Sequence, residues 1–337
     1  MEAKLEAPFP YFGGKSRVAA EVWRRFGDTP NYVEPFCGSC AVLLSRPASH
    51  KGHIETVNDA DGLLSNFWRA IKADPGQTAY WADNPVIEVD LHARHSWLVG
   101  QRDSLVPRLE GDPDYYDAKI AGWWVWGMCC WIGGGFCSGQ GAWHVDPDTR
   151  QLVRADRAEP GVNRQLPHLG DAGKGLQRRR PHLGSAGMSV NRNGIDILQW
   201  FEALAERLRY VRVCSGDWSR VCGPTPTYKQ GLTAVFLDPP YDQTIRVANL
   251  YRIEDPVSAA AREWAIANGS NPLMRIALCG YEGEHEMPPD WQVYEWKAAG
   301  GYSRLGGDDS PGTDNGAKER IWFSPHTLKV ITQGVLI

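Results

Sequence analysis

Short apolar runs alternate with amphipathic stretches at both ends of the chain, and that rhythm breaks in the middle. Tyr32-Val33-Glu34-Pro35-Phe36 reads as a strand ending in a tight glycine turn, and Ile54-Glu55-Thr56-Val57 as a second strand. Gly62 to Lys72 reads as the helix that follows. Strand, turn, helix and strand in that order predict a βαβ unit of a parallel sheet. Farther along, Ile195 to Arg209 sets Ile195, Leu198, Phe201, Leu204 and Leu208 near one face of a helix. Strands are predicted at Val211-Arg212-Val213-Cys214, Ala234 to Leu237, Arg275 to Leu278 and Ile321-Trp322-Phe323. These two zones, 1–74 and 194–337, are expected to build one α/β sheet, with 75–193 inserted between them.

The inserted zone has a different texture. A tryptophan-rich helix is expected over Ala118 to Trp131, then Gly133-Gly134-Gly135, then a long polar segment. That segment repeats itself with a fourteen-residue period: Gly161 to Lys174 (GVNRQLPHLGDAGK) is followed by Gly175 to Met188 (GLQRRRPHLGSAGM). Ser189 to Arg192 begins a third copy, too little for a solenoid. Arg164, Lys174, Arg178, Arg179, Arg180 and Arg192 make the repeat basic. Two readings stand: a solvated loop, or an arm that settles along nucleic-acid phosphates.

Composition narrows the classes. A chain of 337 residues holds one large α/β domain with an insertion, or two ordinary domains. No uninterrupted apolar run reaches bilayer length, so no membrane partner is expected. Met1 to Phe9 carries two acids and no apolar segment, unlike a secretory signal. Eight cysteines in a chain this long, two of them adjacent at Cys129-Cys130, do not make a disulfide framework. A reducing cytoplasm, bacterial or phage-infected, is the expected setting. The net charge of −4 excludes a globally basic binder but leaves room for a local basic stripe. Fifteen tryptophans are in excess; most are expected in cores, with a base-stacking platform as the alternative.

The chemistry centres on Asp238-Pro239-Pro240-Tyr241. The string follows the apolar run Val235-Phe236-Leu237, which puts it at the carboxyl end of a buried strand, where open α/β sheets hold ligands. Two prolines fix the backbone and remove amide donors, leaving carbonyls to accept. The carboxylate and the Pro239 carbonyl can accept from the two N–H groups of a planar amine while the tyrosine ring stacks on the attached base.

With five other strings, this tetrapeptide resembles the Dam-like class of N6-adenine-specific DNA methyltransferases, with the motif order called alpha. Pro10-Tyr11-Phe12-Gly13-Gly14-Lys15-Ser16 resembles that class's N-terminal motif, which lies beside the methyl donor. Glu34-Pro35-Phe36-Cys37-Gly38-Ser39-Cys40 resembles its donor loop, written E-P-F-x-G-x-G. Asn58-Asp59-Ala60-Asp61 resembles the acidic turn that holds ribose hydroxyls, and Ser215-Gly216-Asp217-Trp218 the turn that grips the donor's adenine. Lys318 to Ser324 resembles a terminal strand of the class.

The resemblance implies a Rossmann-like sheet, S-adenosylmethionine as methyl donor, double-stranded DNA as partner and no obligatory metal. It makes Asp238, Pro239, Pro240 and Tyr241 the catalytic residues. Tyr11, Phe12, Gly13, Lys15, Glu34, Pro35, Phe36, Gly38, Asp59, Asp217 and Trp218 become the donor-binding set, and 75–193 becomes a mainly helical, loop-rich target-recognition domain whose basic repeat meets DNA.

The residues support those roles independently. A glycine after a strand lets backbone approach a ligand, and an acid about twenty residues beyond such a loop can reach ribose hydroxyls. Lys15 can meet the donor or the catalytic carboxylate. Cys40 departs from the pattern, standing at the loop's last glycine position and making Cys37-Gly38-Ser39-Cys40 a C-x-x-C string. Zinc or redox work would need ligands that nothing in the sequence brings near it. Three rival functions stay open: methylation of RNA or a protein amide, transfer of a different group to adenine, and a DNA-binding relative without turnover.

Overall fold

Residues 5–11, 14–47, 52–131, 136–137, 143–145, 152–154, 197–240, 257–296 and 319–330 are described in this computed structural model. They form two compact units: a sheet unit from the described residues of 13–59, 210–247 and 254–337, and a helical unit from those of 1–12 and 60–209. The basic repeat, with Arg164, Lys174, Arg178, Arg179, Arg180 and Arg192, lies outside the described residues.

The chain begins the sheet unit with helix α1 (Ala19–Phe26), strand β1 (Asn31–Glu34), a single turn α2 (Ala41–Leu44) and strand β2 (Ile54–Asp59). It then forms the helical unit: α3 (Gly62–Ala73), α4 (Pro75–Ala82), α5 (Glu88–Gly111), α6 (Ala118–Cys130), the antiparallel pair β3 (Trp143–Val145) and β4 (Leu152–Arg154), and α7 (Ile197–Leu208). Back in the sheet unit come β5 (Val211–Ser215), β6 (Thr233–Leu237), α8 (Val257–Gly269), β7 (Met274–Tyr281), β8 (Gln292–Glu295) and β9 (Glu319–Phe323).

Seven strands pair in the order β5-β2-β1-β6-β7-β9-β8. The first five run parallel, and β9 runs antiparallel between β7 and β8. The sheet is Rossmann-like, of the methyltransferase type, drawn from both ends of the chain as expected. Central strands covered on both faces read as continuous apolar or β-branched runs, and Thr-Ala-Val-Phe-Leu of β6 is buried at all five positions. Val33, Val235, Leu237, Ile276 and Leu278 share one core with Ala261 and Ala265 of α8. Elsewhere in the unit the Tyr32 ring meets Trp23 of α1 at 4.9 Å, and the Trp23 indole N–H donates to the Val42 carbonyl at 2.7 Å.

Aspartates start three helices of the helical unit. Asp61, Asp74 and Asp117 accept from the amides of Leu63, Gln77 and Ile120, satisfying donors that a first turn leaves unpaired. Asn66 and Asp117 exchange side chain and backbone, at 2.9 and 2.8 Å, tying α3 to the start of α6. Phe9, Phe67 and Trp124 form an aromatic core within 5.7 Å of one another, with Phe201 of α7 at 6.0 Å from Phe67. The contacts of Phe67 are why α3 and α7, whose sequences adjoin strands, group with the helical unit.

The 24-residue helix α5 has no counterpart in the expected elements. Its buried positions are Leu91, His95, Leu98, Arg102, Leu105 and Leu109, a regular alternation of four and three. His95 and Arg102 occupy two of them, and Pro107 sits inside the last turns, so the apolar stripe is interrupted in the sequence.

Two helical glycines separate packing from propensity. A Cβ on Gly122 of α6 would lie 2.4 Å from the Trp81 Cβ and 2.7 Å from its backbone carbon, whereas one on Gly100 of α5 would meet nothing within 4 Å. Gly122→Ala is expected to destabilise by about 1–3 kcal/mol through overpacking. Gly100→Ala should stabilise by roughly 0.5–1 kcal/mol. Denaturant melts of the two variants check both.

Candidate active site

The site is set by topology. β1 and β6 are neighbours, yet the chain passes from β1 to β2 on one side and from β6 to β7 on the other. Loops leaving two such strands diverge and open a crevice at their carboxyl ends. Four parallel strands finish along this edge, at Glu34, Asp59, Ser215 and Leu237.

Asp238 is the first residue past β6 and is partly exposed, its side chain 21 % accessible. Lys15, in a 3-10 turn over Lys15–Arg17, is buried and sets its ammonium 2.9 Å from Asp238 Oδ1. The same ammonium lies 3.6 Å from Glu319 Oε2 on β9 and 5.8 Å from the centre of the Trp296 ring. Pro239 is buried and Pro240 half-buried.

The loops after β1, β2 and β5 are stitched by backbone groups and by the side chains of Asn58 and Asp59. Asp59 Oδ2 accepts from the Gly38 amide at 3.0 Å, and its carbonyl accepts from Gly216 N–H at 3.0 Å. The Asn58 side-chain amide donates to the carbonyls of Pro35 and Gly216, both at 3.0 Å, while the Asn58 backbone carbonyl accepts from Cys37 N–H at 2.9 Å. Gly38 has φ +46° and Gly216 φ +113°, conformations a Cβ disfavours. Phe36 packs on Trp218 with ring centres 5.6 Å apart, and Trp218 meets Trp264 of α8 edge-on at 6.4 Å. Asp217 is exposed and caps the 3-10 turn Trp218–Val221 through the Ser219 amide. Two buried polar atoms at these strand ends, Asn58 Oδ1 and Ser215 Oγ, have no hydrogen-bond partner among the described residues.

Glu34 closes the loop from beneath. Its Oε2 accepts from the Tyr32 hydroxyl at 2.9 Å and the Leu43 amide at 3.2 Å. Burial, reinforced by the negative charges of Asp238 and Glu55, pushes its carboxyl up to about 8 despite those two bonds. At neutral pH it is therefore mostly the uncharged acid.

Cys40 keeps the backbone that a glycine would supply, with φ 51° and ψ 29°, in the left-handed region. Its amide donates to the Cys37 carbonyl at 2.7 Å, so the loop turns tightly although the glycine is replaced. All eight cysteines are free thiols, and burial raises Cys37 well above its ordinary value. Buried, protonated thiols are poor nucleophiles. Among the described residues no group of three or more His, Cys, Asp or Glu side chains is disposed to hold a metal.

The structure thus joins Lys15 with Asp238 on one side, and Pro35, Phe36, Gly38, Asp59 and Trp218 on the other. Tyr11 belongs to the helical unit, its ring 6.3 Å from that of Phe9. Phe12, Gly13 and Tyr241 lie outside the described residues. Sequence reasoning assigned no role to Asn58 or Glu319. Asn58 directly precedes the assigned Asp59, and Glu319 is the one acid in the terminal-strand string, a signal that pointed to a strand and not to the site.

Sheet order and crevice define the fold first: a Rossmann-like sheet of the methyltransferase type. Residues 11–87 match the family model for D12 class N6 adenine-specific DNA methyltransferase. The matched stretch contains Lys15, the Glu34–Cys40 loop and Asp59, while Asp217 and Asp238 lie beyond it. Together with the sheet, the match supports the resemblance to the Dam-like adenine-specific DNA methyltransferases. A search of curated proteins finds no match to the chain. No helix among the described residues is long and apolar enough to cross a membrane.

Two measurements follow from the loop. The folded state keeps a proton on Glu34 that the unfolded carboxyl, with its ordinary value of 4.5, gives up. That contribution to stability is full below pH 4.5 and is lost as pH rises through about 8. Glu34→Gln, whose amide oxygen still accepts both bonds, should therefore lose less melting temperature than the native chain between those limits. Equal slopes in a pH series of melts would refute the buried acid. Separately, Cys40→Gly should be more stable than Cys40→Ala by about 1 kcal/mol, because only glycine relieves the left-handed backbone. Denaturant melts of the pair read the difference.

Proposed function

We propose that this enzyme transfers a methyl group from S-adenosylmethionine to the exocyclic amine of an adenine flipped out of double-stranded DNA. The observation that carries the reading is Asp238 at the switch-point crevice, its Oδ1 held by a buried lysine. One carboxylate oxygen is thereby fixed, which orients the other toward an incoming amine.

The strand ends on the other side of the crevice suit the donor. Methyltransferases of this family generally use S-adenosylmethionine, which supplies a methyl group on a positively charged sulfur. Asp59, steadied by the Gly38 amide, would accept from ribose hydroxyls. Gly38 leaves room for the ligand's close approach. The Phe36–Trp218 pair offers an apolar wall, with Asp217 beside it as an amine acceptor. Asn58 Oδ1 and Ser215 Oγ are polar atoms that a bound ligand or its waters would satisfy. These features meet the donor's needs in polarity and shape.

Adenine's amine is a weak nucleophile, since its lone pair is shared with the ring, and it is out of reach within a duplex. Flipping the base costs a few kcal/mol, of the order that stacking on Tyr241 would return, about 1–3 kcal/mol. Asp238 and the Pro239 carbonyl would then accept the two amine N–H groups and aim the nitrogen lone pair. Rate enhancement comes from positioning and from a site that favours positive charge growing on that nitrogen. No covalent enzyme intermediate is required. Residues 75–193 act, in this reading, as the target-recognition domain, with the basic repeat along the phosphates.

Purified enzyme given donor with a labelled methyl group should label duplex DNA, and nucleoside digestion should return the label on N6-methyladenine. Asp238→Ala should abolish labelling. Asp59→Ala should instead weaken donor binding, measured by calorimetry, by about tenfold or more, consistent with loss of charge-assisted hydrogen bonds. Labelling by Asp238→Ala at the native rate would overturn the assignment.

A further inference from the structure

The proposed reaction uses Asp238, held by Lys15, and leaves the nearby Glu319 without a role. Lys15 is a single ammonium between two carboxylates, 2.9 Å from Asp238 Oδ1 and 3.6 Å from Glu319 Oε2. Lys15 and Glu319 are both buried, 3 % and 5 % exposed, so water screens neither charge. Trp296, 8 % exposed, lies over the ammonium on a further side. Glu319 opens β9 opposite Tyr281 of β7, and its carbonyl is held by Arg320 Nη1 at 3.0 Å, so its position is fixed by the sheet.

A second carboxylate at this place matters for the chemistry. Paired with Asp238 alone, a buried ammonium would cancel the charge of the one group meant to accept the amine. Shared with Glu319, it orients Asp238 while the cluster keeps one net negative charge beside the crevice. Glu34, the other nearby acid, is largely neutral near pH 7 and does not substitute for it.

We infer that Glu319 is a positioning residue for methyl transfer: it divides the Lys15 ammonium with Asp238, so that Asp238 is both held in place and left negative toward the adenine amine. The inference rests on the proposed reaction. Glu319 itself touches no substrate and acts only through Lys15.

The test is steady-state methylation of duplex DNA at saturating DNA and donor, using the full chain as native, Glu319→Gln, Glu319→Asp, Lys15→Met and the Lys15→Met, Glu319→Gln double variant, with a thermal melt of each. Glu319→Gln should lower kcat by about tenfold or more with KM for DNA and donor changed by less than about twofold, the signature of an interaction made in the transition state. Glu319→Asp, which keeps the charge, should recover most of that loss. In the Lys15→Met background, adding Glu319→Gln should change kcat by less than about twofold, since residues acting through a common partner are not additive. Native kcat in Glu319→Gln, or an equal fall in both backgrounds, overturns the inference. Should Glu319→Gln melt below the assay temperature, Glu319→Asp decides alone: retained kcat supports the inference and a loss of tenfold or more, by the same reckoning, overturns it. Failure of the native enzyme to label DNA would instead defeat the proposed reaction.

Discussion

The Lys15 ammonium is the charge on which the sheet unit's site depends. It is buried, and a buried cation is tolerated only when paired and hydrogen-bonded. Its two carboxylates come from distant parts of the chain, Asp238 after β6 and Glu319 at the start of β9. Bringing them together requires β9 to enter the sheet beside β7, which it does as the antiparallel strand between β7 and β8. The departure from parallel order at that edge is therefore part of how the site is made. Removing Lys15 would leave the buried Glu319 carboxylate without that cation, whereas removing either acid would leave the ammonium paired with the other alone.

The loops after β1, β2 and β5 are organised differently, largely by hydrogen bonds and backbone conformation. Asn58 is the clearest case, bridging the carbonyls of Pro35 and Gly216 and so fixing the ends of β1 and β5 to β2. Glu34 works from below as a largely uncharged acid. Cys40 shows that the turn is imposed by its surroundings. The backbone stays left-handed without glycine, at a cost of order 1–2 kcal/mol that the buried neighbouring contacts offset.

The helical unit owes its definition to caps and aromatic packing. Three aspartates begin three helices, and the sequence announced two of them, over Gly62 to Lys72 and Ala118 to Trp131. The α5 helix escaped notice because His95 and Arg102 take two of its six buried positions, and a stripe with polar members does not read as amphipathic. Burial of His95 lowers its pKa to about 4, so it serves there as a neutral ring stacked 4.8 Å from Trp131. Polarity along the sequence was in this case a poor guide to location.

The sequence by itself determined six of the seven sheet strands, all but β8, and the glycine-bearing and proline-bearing turns that follow them, because each depends on local physics. A buried central strand must be apolar, a close approach favours glycine, and two prolines strip amide donors. Residue chemistry likewise placed Asp59 and Asp238 at strand ends before any strand was paired. Only the tertiary structure decided which groups share one charge. Lys15, Asp238 and Glu319 are separated by most of the chain, and nothing in the spacing of those residues encodes their meeting. That is a property of strand order, which a chain acquires only when its edges find one another.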